Sequence, residues 1–184
     1  MSIDLIRNEI NLCKRCSLCK DRIVPVVDNG NLNSKVIFIA REPGADEQKG
    51  GVPLIGRAGK LFNNMLSSIG LTRNDIWTMN IVACRTPNNR ESSPEEVAAC
   101  EHIRNLQINL IKPKIIVTLG ALATKTFIKS DFPISKIVGK WYNYNEIDIL
   151  PTFHPSFLLR SSTYKDIAYK HLLMLKDKLA EVNI

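Results

Sequence analysis

The five cysteines are the residues of this chain whose type and spacing best suit metal binding. They stand at positions 13, 16, 19, 84 and 100 of 184 residues. Four thiolates can hold a tetrahedral metal ion or an iron–sulfur cluster. Cys13 and Cys16 form one C-x2-C pair, and Cys16 and Cys19 form another, so the spacing leaves open which cysteine is spare. Free buried thiols are the alternative, whereas disulfides are rare in an intracellular chain.

Two polar residues that lie at the ends of apolar runs could take part in recognition or catalysis. Asn80 carries an amide that offers both a hydrogen-bond donor and an acceptor, although asparagine is also common in turns. His154 precedes Pro155, and a neutral imidazole N–H could stabilise negative charge that develops on a substrate. A loop histidine bonded to backbone is the alternative for His154.

The elements that must position these residues are indicated by apolar periodicity, which alternates strands with helices. Apolar and β-branched runs predict strands at residues 35–40, 75–82, 114–119 and 147–150. Helical spacing predicts helices at residues 2–15, 57–69, 93–111, from 120 onwards and 164–181. This alternation predicts an α/β fold: a three-layer α/β/α arrangement around a mainly parallel four-stranded sheet, in one domain over residues 1–184.

The predicted fold also carries expectations for individual residues. In the first helix, the residues expected to face the core are Leu5, Ile6, Ile10 and Leu12. Sites in parallel sheets lie beyond the carboxyl ends of the strands. The loops that follow those ends are residues 41–54, 83–92 and 152–160.

Charge and hydropathy narrow the class of protein. The net charge of +7 and the pI of about 9.2 favour a polyanionic partner, because binding phosphates releases counterions. No apolar run reaches the roughly 18 residues of a membrane span, and the N-terminal sequence is typical of an amphipathic helix and not of a signal peptide. These features predict a cytoplasmic protein, associated with the nucleoid, from a prokaryotic, archaeal or viral host.

Three stretches, in this order, resemble family 4 uracil-DNA glycosylases, the thermostable-type bacterial and archaeal branch. They are residues 40–59 (AREPGADEQKGGVPLIGRAG), 80–90 (NIVACRTPNNR) and 153–160 (FHPSFLLR). The resemblance covers nearly the whole chain. It implies a monomeric, monofunctional enzyme of DNA base-excision repair, which flips uracil out of single- or double-stranded DNA and hydrolyses its N-glycosidic bond.

The resemblance also implies a [4Fe–4S] cluster. The matching ligand positions are Cys13, Cys16, Cys84 and Cys100, which makes Cys19 the extra cysteine. In that family the cluster is structural and ties the N-terminal helix to the DNA-binding loop.

Roles for the loop residues follow from the same resemblance. Asn80 matches the residue that reads the uracil edge, and His154 matches the donor to uracil O2. The predicted catalytic residues are Glu42, His154 and Asn80, and the predicted base-binding residues are Arg41, Leu54, Asn80 and His154.

Contacts to DNA are expected from side chains around this pocket. The predicted set comprises Lys60, Arg85, Asn89, Arg90, Ser156, Leu158, Leu159 and Arg160. The cations could bind phosphates, and an apolar side chain among Phe157, Leu158 and Leu159 could insert into the duplex where the base leaves. A solvated charged surface and ordinary helix packing are the alternatives.

The chain departs from the family's first motif, Gly-Glu-(Ala or Gly)-Pro-Gly, where it reads Ala40-Arg41-Glu42-Pro43-Gly44, and it departs again at Leu54. Arg41 replaces the family's functional glutamate. Glu42 matches the catalytic aspartate of the first-described branch, Gly-Gln-Asp-Pro-Tyr, and is expected to orient the water or stabilise the sugar cation. Leu54 replaces a stacking phenylalanine and lacks its π-face. These changes leave open a glycosylase with shifted preference for hypoxanthine or xanthine, a DNA-binding relative without cleavage, and a zinc-stabilised nucleic-acid or partner-docking module.

Overall fold

The computed structural model describes residues 2–129 and 132–181, which contain one six-stranded sheet. The strands are β1 (Asn29–Gly30), β2 (Val36–Ala40), β3 (Trp77–Asn80), β4 (Ile115–Leu119), β5 (Tyr142–Tyr144) and β6 (Ile147–Thr152). Their order across the sheet is β1-β3-β2-β4-β6-β5. The four inner strands are parallel, and β1 and β5 add antiparallel edges.

Helices connect the strands and cover the sheet. They are α1 (Ile3–Leu12), α2 (Ala45–Gly50), α3 (Gly56–Ser67), α4 (Pro94–Ala99), α5 (Glu101–Ile111), α6 (Ala121–Phe127), α7 (Ile134–Ile137), α8 (Pro155–Arg160) and α9 (Lys165–Glu181). Short 3-10 turns lie at Ser17–Cys19, Arg73–Asp75, Pro87–Asn89 and Ser162–Tyr164.

Two apolar clusters, one on each face of the sheet, form the core. Successive side chains of a strand point to opposite faces, so Ile37 and Ile39 of β2 pack with α1, α5 and α6. Val36 and Phe38 pack on the other face with α3 and α9. Burial on both faces explains why β2 and β4 are continuous apolar runs instead of alternating ones.

The predicted α/β architecture is confirmed, and the four predicted strands are the four parallel strands of the sheet. The two edge strands were not predicted. β1 has two residues and β5 has three, too few for an apolar pattern to show.

The prediction that Leu5 and Leu12 face the core is wrong, because their side chains are 60% and 68% exposed. Helix α1 buries Ile3, Ile6 and Ile10, which stand three and four residues apart on one side of a helix. Leu5 and Leu12 fall outside that side. The helix also ends earlier than predicted, because the backbone turns extended at Cys13.

The other differences concern helix boundaries. The helix predicted over residues 93–111 is two helices, α4 and α5, which meet at Cys100. Two of the predicted loops contain short helices, α2 and α8. Among the described residues, no helix is both long and apolar enough to cross a bilayer.

Candidate active site

Two cavities open at the carboxyl edge of the parallel strands. The first, here called the loop cavity, has a volume of about 390 Å³ and is bordered by Glu42, Glu47 and Ile55. The second, here called the aromatic cavity, has a volume of about 330 Å³ and is bordered by Phe153 and Tyr164. Both cavities share a wall formed by Arg41, His154, Ser156 and Arg160. The β2, β4 and β6 ends therefore supply one continuous concave surface, on which three arginines (Arg41, Arg57 and Arg160) stand among four carboxylates (Glu42, Asp46, Glu47 and Glu91).

His154 lies on the shared wall with its tautomer fixed by local backbone. It is the N-cap residue of α8, and the Ser156 backbone N–H donates to its Nδ1 at 3.1 Å. The Ser156 hydroxyl lies 2.8 Å from the same nitrogen. Because Nδ1 accepts a hydrogen bond from a backbone N–H, the neutral ring must carry its proton on Nε2.

The surroundings of His154 also fix its charge. The pKa of its imidazole is lowered from 6.5 to about 4. Burial is the largest cause of this shift, and the positive charges of Arg41 and Arg160 contribute to it. Desolvation and nearby cations both disfavour an imidazolium. At neutral pH His154 is therefore an uncharged donor through Nε2.

Arg41 and Glu42, the first departure from the family pattern, form an ion pair at the end of β2. Arg41 donates from Nε to Glu42 Oε1 at 2.7 Å and also from Nη2 to the same oxygen. The Ser92 hydroxyl lies 3.5 Å from the other carboxylate oxygen. Glu42 is 7% exposed and Arg41 partly exposed, so the carboxylate borders the loop cavity with its charge compensated.

Asn80 ends β3 beside Ala40 of β2 and is buried, with 8% of its surface exposed. Within the described part of the chain, neither its amide oxygen nor its amide nitrogen makes a hydrogen bond of good geometry. It lies near enough to the Glu47 carboxylate to oppose the rise in that group's pKa. Buried amides almost always have partners, so this pair of unsatisfied groups calls for a ligand or a functional explanation.

Glu47 is a site residue that the sequence reasoning missed. Its carboxylate accepts the backbone N–H groups of Gly44 and Leu54, each at 2.6 Å. Burial raises the pKa of Glu47. The two backbone hydrogen bonds and the Asn80 amide act in the opposite direction and only partly offset this rise. The sequence carries only half of the capping-box pattern, the glutamate three residues after the N-cap, because Gly44 at the N-cap has no side chain to complete it.

Hydrogen bonds to its backbone hold Leu54 in place, and its side chain packs in the core instead of facing a base. Its φ of 54° is left-handed, which costs energy for a residue with a Cβ. Glu47 accepts from its N–H, and Arg73 donates to its carbonyl. The side chain is 1% exposed and packs in the core with Phe62.

The residues predicted to contact DNA fall into three groups: those that border the loop cavity, one that is buried, and the basic residues outside the cavities. Asn89, Leu159 and the shared-wall residues Ser156 and Arg160 border the loop cavity. Leu158 is buried against Phe153, so its side chain belongs to the core.

The basic residues outside the cavities have partners of their own or face solvent. Arg85 donates to Asn89 at 3.0 Å, and Arg90 binds Glu96 through two nitrogens at 2.6 and 2.8 Å. Lys60 is exposed on α3. These contacts order the loop that follows Asn80 and leave Lys60 available to solvent.

The five cysteines converge on one small cavity beneath α1. It is bordered by Cys13, Cys16, Cys19, Cys84 and Cys100. Cys13 and Cys16 pack against the core and contribute to the raised pKa of both buried thiols.

The sulfur donors around this cavity are of the type that binds iron or zinc, although burial disfavours their thiolate forms. Burial raises the pKa of Cys84, and that of Cys100 to about 11. The Arg22 guanidinium lies 3.5 Å from the Cys84 sulfur, a position that favours a thiolate. In residues 2–129 and 132–181, no group of three or more His, Cys, Asp or Glu side chains is arranged to hold a metal ion.

Comparison with known proteins gives a consistent set of relatives. The model of the uracil DNA glycosylase superfamily matches residues 27–174. A type-4 uracil-DNA glycosylase of Thermotoga maritima is 40% identical over 166 residues, which are 86% of this chain and 84% of that protein. The corresponding protein of Saccharolobus solfataricus is 35% identical, covering 97% of this chain and 87% of its own. That of Archaeoglobus fulgidus is 38% identical, covering 86% and 83%.

Proposed function

This chain belongs to the uracil DNA glycosylase superfamily, and from that membership we propose that it removes uracil from DNA by hydrolysing the N-glycosidic bond. The relatives named type-4 uracil-DNA glycosylase extend over most of the chain. The proposal therefore concerns a monofunctional glycosylase of DNA repair that acts as a monomer in the cytoplasm.

The unpartnered amide of Asn80 is the observation that carries this proposal. Its oxygen and nitrogen are buried without a hydrogen bond of good geometry in the described residues, although the Glu47 carboxylate lies near the amide. Uracil presents an acceptor at O4 next to a donor at N3, which complements an amide donor and acceptor. A bound uracil would thus satisfy two groups whose burial is otherwise costly.

Glu47 gives this amide a preferred orientation. A carboxylate beside the amide favours the rotamer in which the NH2 group faces it, because the amide oxygen would be repelled. A cytosine edge reverses the order of donor and acceptor and would require the opposite rotamer. Glu47 thereby supports discrimination between uracil and cytosine.

His154 is proposed to stabilise the departing base. Its Nε2–H can donate to uracil O2 as negative charge develops there, and a fixed donor needs no reorganisation during the reaction. The contact from Ser156 N–H to Nδ1 keeps that proton on Nε2.

Glu42 is proposed to act on the sugar side. A fixed carboxylate can orient the attacking water and stabilise the oxocarbenium-like sugar. Arg41 would then contact phosphate or the base once its ion pair with Glu42 opens.

The same ion pair favours a second candidate, a DNA-binding relative that does not cleave. Arg41 compensates the charge of Glu42 at the place where the resembled family has its functional glutamate. In that case the chain would bind uracil-containing DNA and leave the base attached.

Single-turnover excision distinguishes the two candidates. Uracil should be released from single-stranded or duplex DNA, with hypoxanthine and xanthine substrates as tests of base preference. Asn80→Ala should abolish uracil release with little loss of DNA binding, because phosphate contacts remain. The matched control Asn74→Ala changes an exposed asparagine and should behave as wild type.

Two outcomes would count against the first candidate. A wild-type protein that binds DNA and releases no base supports the non-cleaving candidate. Equal loss of binding and excision in Asn80→Ala would give that residue a structural role instead.

A [4Fe–4S] cluster on Cys13, Cys16, Cys84 and Cys100 is the cofactor we propose. When bound it supplies a covalent cross-link between the end of α1 and the α4–α5 junction. Anaerobically purified protein should be brown and contain iron. Cys84→Ser should lose the colour and Cys19→Ser should keep it, whereas stoichiometric zinc without iron would contradict the cluster.

DNA binding should depend on ionic strength. The excess of seven positive charges predicts affinity that falls steeply with salt, because each neutralised phosphate releases counterions. Affinity that stays constant between low and high salt would contradict a mainly electrostatic contact with DNA.

A further inference from the structure

The aromatic cavity is not used by the excision mechanism. The proposed function places the target base in the loop cavity, which Glu42, Glu47 and His154 border. Asn80 lies near Glu47 but is not among the residues that line this cavity. The aromatic cavity lies on the other side of His154, above the ends of β4 and β6. With a volume of about 330 Å³, it is within the size range of small-molecule sites.

Three packed rings form one side of this cavity. Phe153 and Phe157 are stacked with centroids 5.4 Å apart and planes 27° apart. Tyr164 meets Phe153 edge-on at 5.1 Å and Phe157 at a tilt at 5.2 Å. The tyrosine remains 38% exposed, so a ring held by two neighbours is accessible to a ligand. Rings of this kind are the surface on which unpaired bases stack.

Two arginines could bind a phosphate at the entrance of the cavity, Arg41 once its ion pair with Glu42 opens. Arg41 and Arg160 lie on the wall shared with the loop cavity. Glu91 is the carboxylate on the border of the aromatic cavity, and it is exposed. A phosphate bound on the shared wall would join a nucleotide in the loop cavity to its neighbour in the aromatic cavity.

We propose that the aromatic cavity binds an unpaired nucleobase next to the target uracil on the same strand. This inference rests on the proposed function, because it takes the target base to lie in the loop cavity. A base that remains paired in a duplex cannot enter the cavity. The contact therefore belongs to single-stranded DNA and adds affinity for that substrate.

Fluorescence of 2-aminopurine, a base analogue quenched by stacking, tests the inference without requiring cleavage. Single-stranded oligonucleotides carry uracil on a 2′-fluoro sugar, which resists hydrolysis, and 2-aminopurine 5′ to it, 3′ to it, or several nucleotides away. Binding should change the fluorescence at one adjacent position and leave the distant one unchanged. No change at either neighbour would overturn the proposal.

Variants of Tyr164 identify the ring responsible. Tyr164→Ala should weaken single-strand binding by about 5- to 150-fold, the effect of removing one stacking contact, and Tyr164→Phe should restore it. Tyr169 of α9 is 44% exposed and does not border the cavity, so Tyr169→Ala is the matched control. Thermal melting of each variant verifies folding.

The possible outcomes separate this inference from the proposed function. An adjacent fluorescence change that Tyr164→Ala removes supports the cavity, even if the wild type excises no uracil. Equal losses in Tyr164→Ala and Tyr169→Ala would overturn it, even if uracil excision is rapid.

Discussion

The β6–α8 loop and the β2–α2 loop each place one ionisable side chain beside arginine, but they control its charge in different ways. His154 is neutral, because burial and two arginines lower its pKa to about 4. Glu42 is paired with the side chain of the preceding residue, Arg41. In the first loop a backbone contact, from the Ser156 N–H, also fixes the tautomer of the neutral ring.

This difference shows which loop can change its chemistry by a single substitution. Every residue except proline has a backbone N–H to offer at position 156, so the tautomer of His154 tolerates most substitutions there. The state of Glu42 depends on one side chain, and replacing Arg41 would free the carboxylate. Arg41, which departs from the family pattern, therefore lies in the loop whose electrostatics a single substitution can change.

The largest effect should come from removing the imidazole. His154→Ala should slow single-turnover uracil excision by about 10²- to 10³-fold, the usual cost of losing one fixed donor to a developing anion. DNA binding should remain near that of wild type. His102, a half-exposed histidine beside Glu9, provides the control His102→Ala. A loss of less than about tenfold would remove His154 from the chemistry.

The second effect concerns the carboxylate of the other loop. Glu42→Gln should slow excision by about 10²-fold, because it keeps the shape and removes the charge that orients water and stabilises the sugar. Arg41→Ala should cost far less in the same assay.

The opposite results for the Arg41–Glu42 pair are equally informative. If Arg41 suppresses the reaction through its ion pair, Arg41→Glu should raise the rate. If Glu42→Gln excises as fast as wild type, Glu42 has not taken over the acidic role.

A smaller effect is expected at Ser156. Ser156→Ala removes the hydroxyl that lies 2.8 Å from His154 Nδ1 and leaves the backbone N–H. Loss of one such hydrogen bond should slow excision by about 2- to 10-fold. A loss as large as that of His154→Ala would mean that the hydroxyl, and not the backbone, fixes the imidazole.

The smallest effect should be that of pH near neutrality. Because the pKa of His154 is lowered to about 4, its titration should leave the excision rate unchanged between about pH 6 and 8. Arg41→Ala removes one cause of the lowered pKa of His154, so any loss of excision rate at acid pH should begin at a higher pH. A wild-type profile that bends near the ordinary histidine pKa of 6.5 would contradict a neutral donor.

The same shift has a consequence for stability. Between the folded pKa of about 4 and the ordinary value of 6.5, the unfolded chain binds more protons at this residue than the folded chain. The contribution of His154 is therefore fully present above pH 6.5 and is lost as pH falls towards 4. Denaturant midpoints of wild type and Arg41→Ala over this range measure it.

Much of the fold and part of the site could be predicted because they depend on local patterns. Asn80 and His154 follow strands whose apolar runs are unambiguous, and parallel strands bring their carboxyl ends to one edge. Leu5 and Leu12 were misassigned because α1 has apolar residues on more than one side, and the face that meets the sheet is decided by tertiary packing.

The rest of the site depends on contacts between distant segments. The Leu54 backbone is fixed by Glu47 and by Arg73, which is nineteen positions away. No local sequence pattern predicts the contact with Arg73. The aromatic cavity likewise requires the β4 end, α7 and α8 to meet. Each of these segments is unremarkable when read alone.

His154 is also the N-cap of α8, accepting the Ser156 N–H, and this double use bears on how the lineage can change. Asparagine, aspartate and serine are the side chains that helix N-caps favour, and any of them would cap α8 without an imidazole. A lineage that had abandoned base excision would be free to drift to one of them. Capping of α8 alone therefore does not require an imidazole at position 154.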